Sequence, residues 1–215
     1  QGGAVAEDVK PGLPLAEKLG RVFTALAGEV ATKLDVEVRG EIASQDVRVI
    51  ELAALKGVFA DVVEEQVTYV NAPLLAKDRG IEVELVTSSE SPDWRNVVTV
   101  RGVLADGRTV SVSGTLSGPR QITKIVEVNG YEMEIEPTAH LCFFTYTDRP
   151  GVVGVVGRLL GEHGINIASM QVARDVKGGK ALIALTVDSA IPADVVEQIG
   201  AEIGAESGRS VDLED

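Results

Sequence analysis

The sequence predicts an α+β protein in two successive parts. The first is an antiparallel sheet with helices on one face, and the second is a smaller unit of alternating strands and helices. Three observations carry that prediction. Helical periodicity dominates up to Gly80, alternating strands joined by tight turns follow up to Ile135, and beyond Pro137 the order becomes strand, helix, strand, strand, helix, strand.

The chain has 215 residues, 45% of them hydrophobic and 25% charged, which is enough for a real core in one large or two small domains. Aromatic residues make up only 4%, so that core must be built from Val, Leu, Ile and Ala. A net charge of −13 argues against nucleic acid or an anionic membrane as partner. The one cysteine, Cys142, excludes an internal disulfide and fits a reducing, cytoplasmic setting. It sits in an alternating strand, where a buried structural thiol is expected. No apolar run approaches the ~18 residues a membrane span needs, and no signal-peptide pattern is present. The opening Gln1-Gly2-Gly3 lacks an initiator methionine and reads as cut from something longer.

Gly2, Gly3 and the non-periodic residues 1–10 read as a linker or hinge. Pro14 then suits the start of a helix with Leu15, Leu19, Val22, Phe23 and Leu26 on one side, stopped at Gly28. Leu34, Val36 and Val38 alternate with charged residues as a half-buried strand. Asp46 can cap a helix carrying Val47, Ile50, Ala53 and Leu55, which Gly57 is expected to break before Val58-Phe59. Asn71-Ala72-Pro73 opens a short helix that Gly80 ends, and Ile81–Val86 is a strand. Asn96–Leu104 and Thr109–Leu116 flank Asp106-Gly107, while Gln121–Val128 and Tyr131–Ile135 flank Asn129-Gly130; both dipeptides are hairpin signals. Residues 11–137 therefore form the first domain, with helices layered on a sheet.

In residues 138–215, Leu141–Thr145 alternates as a strand, and Val152, Val156, Leu159 and Leu160 mark a helix. Asn166–Val172 and Ala181–Val187 are strands around Lys177-Gly178-Gly179. Val195, Val196, Ile199 and Ile203 give a second helix, and Ser210–Leu213 closes the sheet. The resulting βαββαβ order is the ferredoxin-like arrangement. Its small core makes pairing with a second copy physically attractive.

No catalytic residue emerges. His140 and His163 have no second histidine or cysteine at ligand spacing, so no metal site is assigned. Dinucleotide, phosphate-loop and nucleophile-elbow motifs are absent. Gly151, Gly154 and Gly157 have G-x-x-G-x-x-G spacing with no acid ending a following strand, which the dinucleotide unit needs. No cofactor is assigned to this chain.

The most informative stretch is Tyr146-Thr147-Asp148-Arg149-Pro150-Gly151-Val152-Val153, where a strand gives way to a helix. Stability alone would place an aspartate at a helix cap and a proline in its first turn. The unpaired amides of a helix start can also hold an anion, and Asp148 can hold a cation. Tyr146 leaves its strand on the same side as Asp148. Asn166, just after Gly164, would meet that turn across a pair of domains, although a turn role for Asn166 stays open. A carboxylate, an amide and a helix start together suit a free amino acid.

At these residues Leu141–Leu213 resembles an ACT domain, the small regulatory module that binds amino acids between paired copies. Upstream, Val36-Glu37-Val38-Arg39-Gly40-Glu41-Ile42-Ala43, Ala54-Leu55-Lys56-Gly57, Val70-Asn71-Ala72-Pro73, Gly114-Thr115-Leu116-Ser117-Gly118-Pro119 and Val128-Asn129-Gly130 resemble the intervening, or allosteric substrate-binding, domain of long-form D-3-phosphoglycerate dehydrogenase. The resemblance implies a parent NAD-dependent oxidoreductase that starts serine synthesis and is inhibited by L-serine at ACT–ACT contacts of a homo-oligomer. The catalytic domains that would hold NAD are missing from this sequence. Carried over by position, the serine contacts fall on Tyr146, Asp148 and Asn166, with the backbone at Pro150, Gly151, Val152 and Val153. The serine hydroxyl has Tyr146 as its first candidate partner. Some family members also hold a phosphate-like anion. Lys124 matches that site and Arg120 could assist, but Glu136 and Thr186 stand where basic residues would be expected. Two other readings remain open: the regulatory modules of an iron–sulfur L-serine dehydratase, and an oligomerisation module without a ligand.

Overall fold

The computed structural model describes residues 3–214, and the chain divides into two compact units, one up to Asn129 and one from Gly130. Gln1 and Gly2, half of the expected glycine hinge, lie outside the described residues.

The first unit opens with α1 (Gly12–Ala27), which buries Leu15, Leu19, Val22 and Phe23. Pro11 takes the cap position, so the helix starts two residues before Pro14. It ends where Gly28 turns left-handed at φ 69° and its N–H donates to the Thr24 carbonyl at 3.0 Å. β1 (Lys33–Gly40) leads through a 3₁₀ turn (Glu41–Ser44) to α2 (Arg48–Ala60). The cap position of α2 is Val47 and not the expected Asp46, whose carboxylate lies one residue further out and accepts from the Arg48 N–H at 3.2 Å.

Gly57 does not break α2, contrary to the expectation from sequence. A Cβ there would lie 1.9 Å from the Glu17 carbonyl oxygen, and one at Gly20 would lie 2.2 Å from that of Ala54. The two glycines face each other across α1 and α2 and let the backbones touch.

α3 (Ala72–Asp78) and β2 (Glu82–Ser88) follow, then β3 (Asn96–Val103), β4 (Thr109–Ser117) and β5 (Ile122–Val128). These strands run in the order β2-β1-β3-β4-β5. The sheet is mixed: β1 pairs antiparallel with β3 but parallel with β2, Lys33 opposite Glu82. A parallel partner requires a crossover, and α2 and α3 supply it. Helix α1 lies so close to β3 and β4 that side chains at Gly102 and Gly114 would strike Phe23, Leu15 and Leu19. Away from that helix the sheet carries a polar row. The buried Glu37 pairs with Arg39 and with Arg101 (3.2 Å), and Thr99 bonds Ser113 at 2.7 Å.

Asn129 (φ 50°) and Gly130 (φ 87°) are both left-handed, as a tight turn demands, and lead into β6 (Tyr131–Ile135). The second unit continues with β7 (His140–Thr147), α4 (Val152–Glu162), β8 (Ile167–Arg174), β9 (Lys180–Val187), α5 (Ala193–Ile203) and β10 (Ser207–Asp212). Its four-stranded sheet is ordered β10-β7-β9-β8 and is antiparallel throughout, the βαββαβ topology expected. Phe144, Val156, Leu160, Ile183 and Ile199 form the core between sheet and helices. Among the described residues no helix is long and apolar enough to cross a membrane.

Candidate functional site

The strand-to-helix turn after β7 is held by its neighbours on three sides. The Asp148 N–H donates to the Gly179 carbonyl at 2.8 Å, continuing the β7–β9 register one residue past the Thr147–Lys180 pair. The Asp148 carboxylate accepts from the Gly178 N–H (3.3 Å) and from Arg174 Nη1 (3.4 Å). The Arg149 guanidinium reaches over to the last carbonyls of α5, donating to Ile203 at 2.9 Å and Glu202 at 3.4 Å. A cation at a helix C-terminus is electrostatically favoured.

Two expectations about this turn need correcting. Pro150 is not in the first helical turn. Gly151, left-handed at φ 91°, is the cap, and α4 begins only at Val152. Nor does Asp148 cap the helix, since no side chain caps α4 and this carboxylate is drawn to the β8–β9 turn instead. The first intrahelical bond runs from the Val155 N–H to the Gly151 carbonyl at 3.1 Å. The amides of Val152 and Val153 therefore precede the helical ladder and point out of its start.

Tyr146 lies 1% exposed among Val152, Val156 and Ala181 in the core. Burial pushes its hydroxyl above the ordinary range, the Asp148 charge adds to this, and Arg174 opposes it. The phenol stays protonated at neutral pH and can donate. The Asp148 side chain is 18% exposed, at the surface end of this group.

Asn166 stands elsewhere. Its amide donates to Asp188 at 2.8 Å, at the end of the sheet where Ile167 pairs with Val187. Asp148 follows the Thr147–Lys180 pair at the opposite end of β9. The eight residues of β9 separate the two by on the order of 25 Å. One chain thus brings Tyr146, Asp148 and the helix start together and keeps Asn166 apart.

Sequence reasoning missed Arg174 and Gly178, the partners of Asp148. The Lys177-Gly178-Gly179 turn was legible, and pairing Thr147 with Lys180 would have placed it beside Asp148. The second group of candidates lies in the first unit. Lys124 sits with its ammonium 5.9 Å from the Trp94 ring centroid, and Arg120 is exposed in the turn before β5. Of the histidines, His140 bonds Asp212 at 2.7 Å and His163 contacts Gln198 at 3.2 Å.

Comparison with known proteins matches this architecture. A family profile described as "D-3-phosphoglycerate dehydrogenase intervening domain" matches residues 8–129, and one described as "ACT domain" matches residues 140–204. The D-3-phosphoglycerate dehydrogenase of Mycobacterium leprae (strain TN) is 45% identical over 212 residues, which is 99% of this chain and 40% of that protein. The Mycobacterium tuberculosis (strain ATCC 25618 / H37Rv) protein of the same name is also 45% identical over 99% of this chain and 40% of its own length. That of Bacillus subtilis (strain 168) is 35% identical over 89% of this chain and 36% of its length.

The fold and these matches define a regulatory region, an intervening domain followed by an ACT domain. The chain belongs to the D-3-phosphoglycerate dehydrogenase intervening-domain family. It spans about 40% of the length of the mycobacterial relatives.

Proposed function

We propose that this chain binds L-serine between paired ACT domains and so imposes feedback inhibition on an NAD-dependent D-3-phosphoglycerate dehydrogenase. The observation that carries the reading is the placement of Asp148 and Asn166 at opposite ends of one sheet whose edge strand is β8. Antiparallel pairing of β8 with a second copy's β8 sets the start of one strand beside the end of the other. Asn166 of one copy then arrives at the Arg174 end of its neighbour, where Asp148 lies. The pocket is complete only in the pair.

In that pocket Asp148 holds the serine ammonium, displacing the long Arg174 contact. The amides of Val152 and Val153, opened by Pro150 and Gly151, take the carboxylate, and Asn166 of the second copy bonds either group. Tyr146 is the candidate partner for the serine hydroxyl; leaving that hydroxyl unpaired would forfeit discrimination against alanine. Exposed apolar side chains support the pairing face. Val153 is 48% and Val172 42% exposed, and side chains at Gly154, Gly157 and Gly161 would meet nothing in this chain.

A mixing experiment tests the proposal. Calorimetry should find serine binding to the unmodified chain and none to Asp148→Ala or Asn166→Ala alone. Mixing the two variants should recover binding, because each mixed pair has one pocket with both residues. Failure of the mixture to bind, with both variants folded, would refute a pocket shared between copies.

A further inference from the structure

We propose that the first unit carries a second small-molecule site, selective for a free amino acid with an aliphatic side chain. The site is a cavity of about 390 Å³ between the start of α1, the 3₁₀ turn and the β4–β5 turn. That size lies within the range of small-molecule pockets, which run from roughly 300 to 1,000 Å³.

Its wall is fixed by close packing. Gly40 is left-handed at φ 107°, and a Cβ there would lie 2.1 Å from the Arg95 carbonyl oxygen, so the end of β1, where the 3₁₀ turn begins, is pressed directly on the residue before β3. The Ile42 N–H donates to Asn96 Oδ1 at 2.9 Å, and the Thr115 hydroxyl donates to the Asn96 carbonyl at 2.5 Å. These bonds hold the wall in shape without a ligand.

The lining divides by polarity. Leu15, Ile42, Val98 and Leu116 give an apolar floor, Asp8, Glu41 and Arg95 supply charge, and Gln45, Asn96 and Gln121 add uncharged polar side chains. Arg95 is 78% exposed and pairs with Glu41 at 2.7 Å, and Asp8 lies close enough to act on it electrostatically. Two carboxylates beside one guanidinium disfavour a simple fatty acid, which would meet like charge. A simple amine would leave Arg95 without an added partner. A zwitterion answers both, its ammonium toward Asp8 and Glu41 and its carboxylate toward Arg95. The floor then favours an aliphatic body, which gains by burying apolar surface against Leu15, Ile42, Val98 and Leu116. Serine has little apolar surface to bury there, which sets this site apart chemically from the turn at Asp148.

The test uses the full chain carrying Asp148→Ala, which silences the ACT turn and separates this proposal from the serine reading. L-Leucine is titrated while backbone and methyl NMR signals are followed. Saturable shifts at Leu15, Val98 and Leu116 are expected, with none from L-serine. 3-Methylbutylamine and 4-methylpentanoate, each with one of leucine's two charges, should bind at least tenfold more weakly. Arg95→Gln, on the surface, should weaken leucine at least tenfold without loss of folding, and Leu116→Phe should fill the floor. No shift at millimolar leucine, leucine binding unchanged in Arg95→Gln, or equal binding of serine would each overturn the proposal.

Discussion

Asp148, the carboxylate proposed to hold the serine ammonium, already has partners within the chain. Its bonds to Gly178 and Arg174 are long, 3.3 and 3.4 Å, so little folding energy rests on them. Asp148→Asn keeps an acceptor for the Gly178 amide and removes the charge. Thermal unfolding of that variant should match the unmodified chain, while calorimetry should show serine binding weakened by roughly 2–5 kcal/mol, the scale for losing one partner of a bonded charge pair. Cys142 makes the opposite point. Burial pushes its thiol up to about 12, from 9.0 unperturbed. The native thiol is therefore neutral and unreactive, and iodoacetamide should modify it only on unfolding. The sign of the pH effect follows from the raised value. The contribution is full below pH 9, then falls as pH rises toward 12, because only the unfolded chain loses the proton there. Denaturant midpoints measured from pH 8 upward should decline across that window.

Among the elements, the α1–α2 pair depends on glycine in a way spacing along the chain does not reveal. Gly57 reads locally as a helix breaker, yet its backbone lies against Glu17, with Gly20 reciprocating against Ala54 and Val58. Gly57→Ala should cost at least about 1–3 kcal/mol, since the clash is with backbone that cannot rotate away. Gly200→Ala in α5 is the control. Its nearest neighbour would be Ala205 Cβ at 3.8 Å, an ordinary contact, and replacing a mid-helix glycine there should stabilise by about 0.5–1 kcal/mol. Urea denaturation of the two variants should move in opposite directions. Gly151 is a related case: left-handed at φ 91°, it takes the cap position, and α4 begins only after it, with Pro150 outside the helix.

At the level of the whole molecule, periodicity located most helices and strands, and the Asp106-Gly107 and Asn129-Gly130 turns set several boundaries. Alternation says which face of a strand is buried but not its direction. The parallel β1–β2 pair was therefore missed, although the helices between Val47 and Asp78 carried the crossover signal. The candidate site was legible as residue types at a junction. Its geometry was not, because the distance from Asp148 to Asn166 depends on strand register, and the Arg174 and Gly178 contacts depend on a turn some thirty residues downstream.

The edge position of β8 has a consequence for how ligand would be counted and felt. In the proposed pair, a two-fold axis through a ribbon of two such strands generates a pocket at each end, so sites and paired chains would be equal in number. The same pair of strands is then a common beam with an occupant clamped at either tip. An occupant that stiffens the shared strands at one tip would lower the entropic cost at the other, a coupling that a two-site calorimetric titration reads directly.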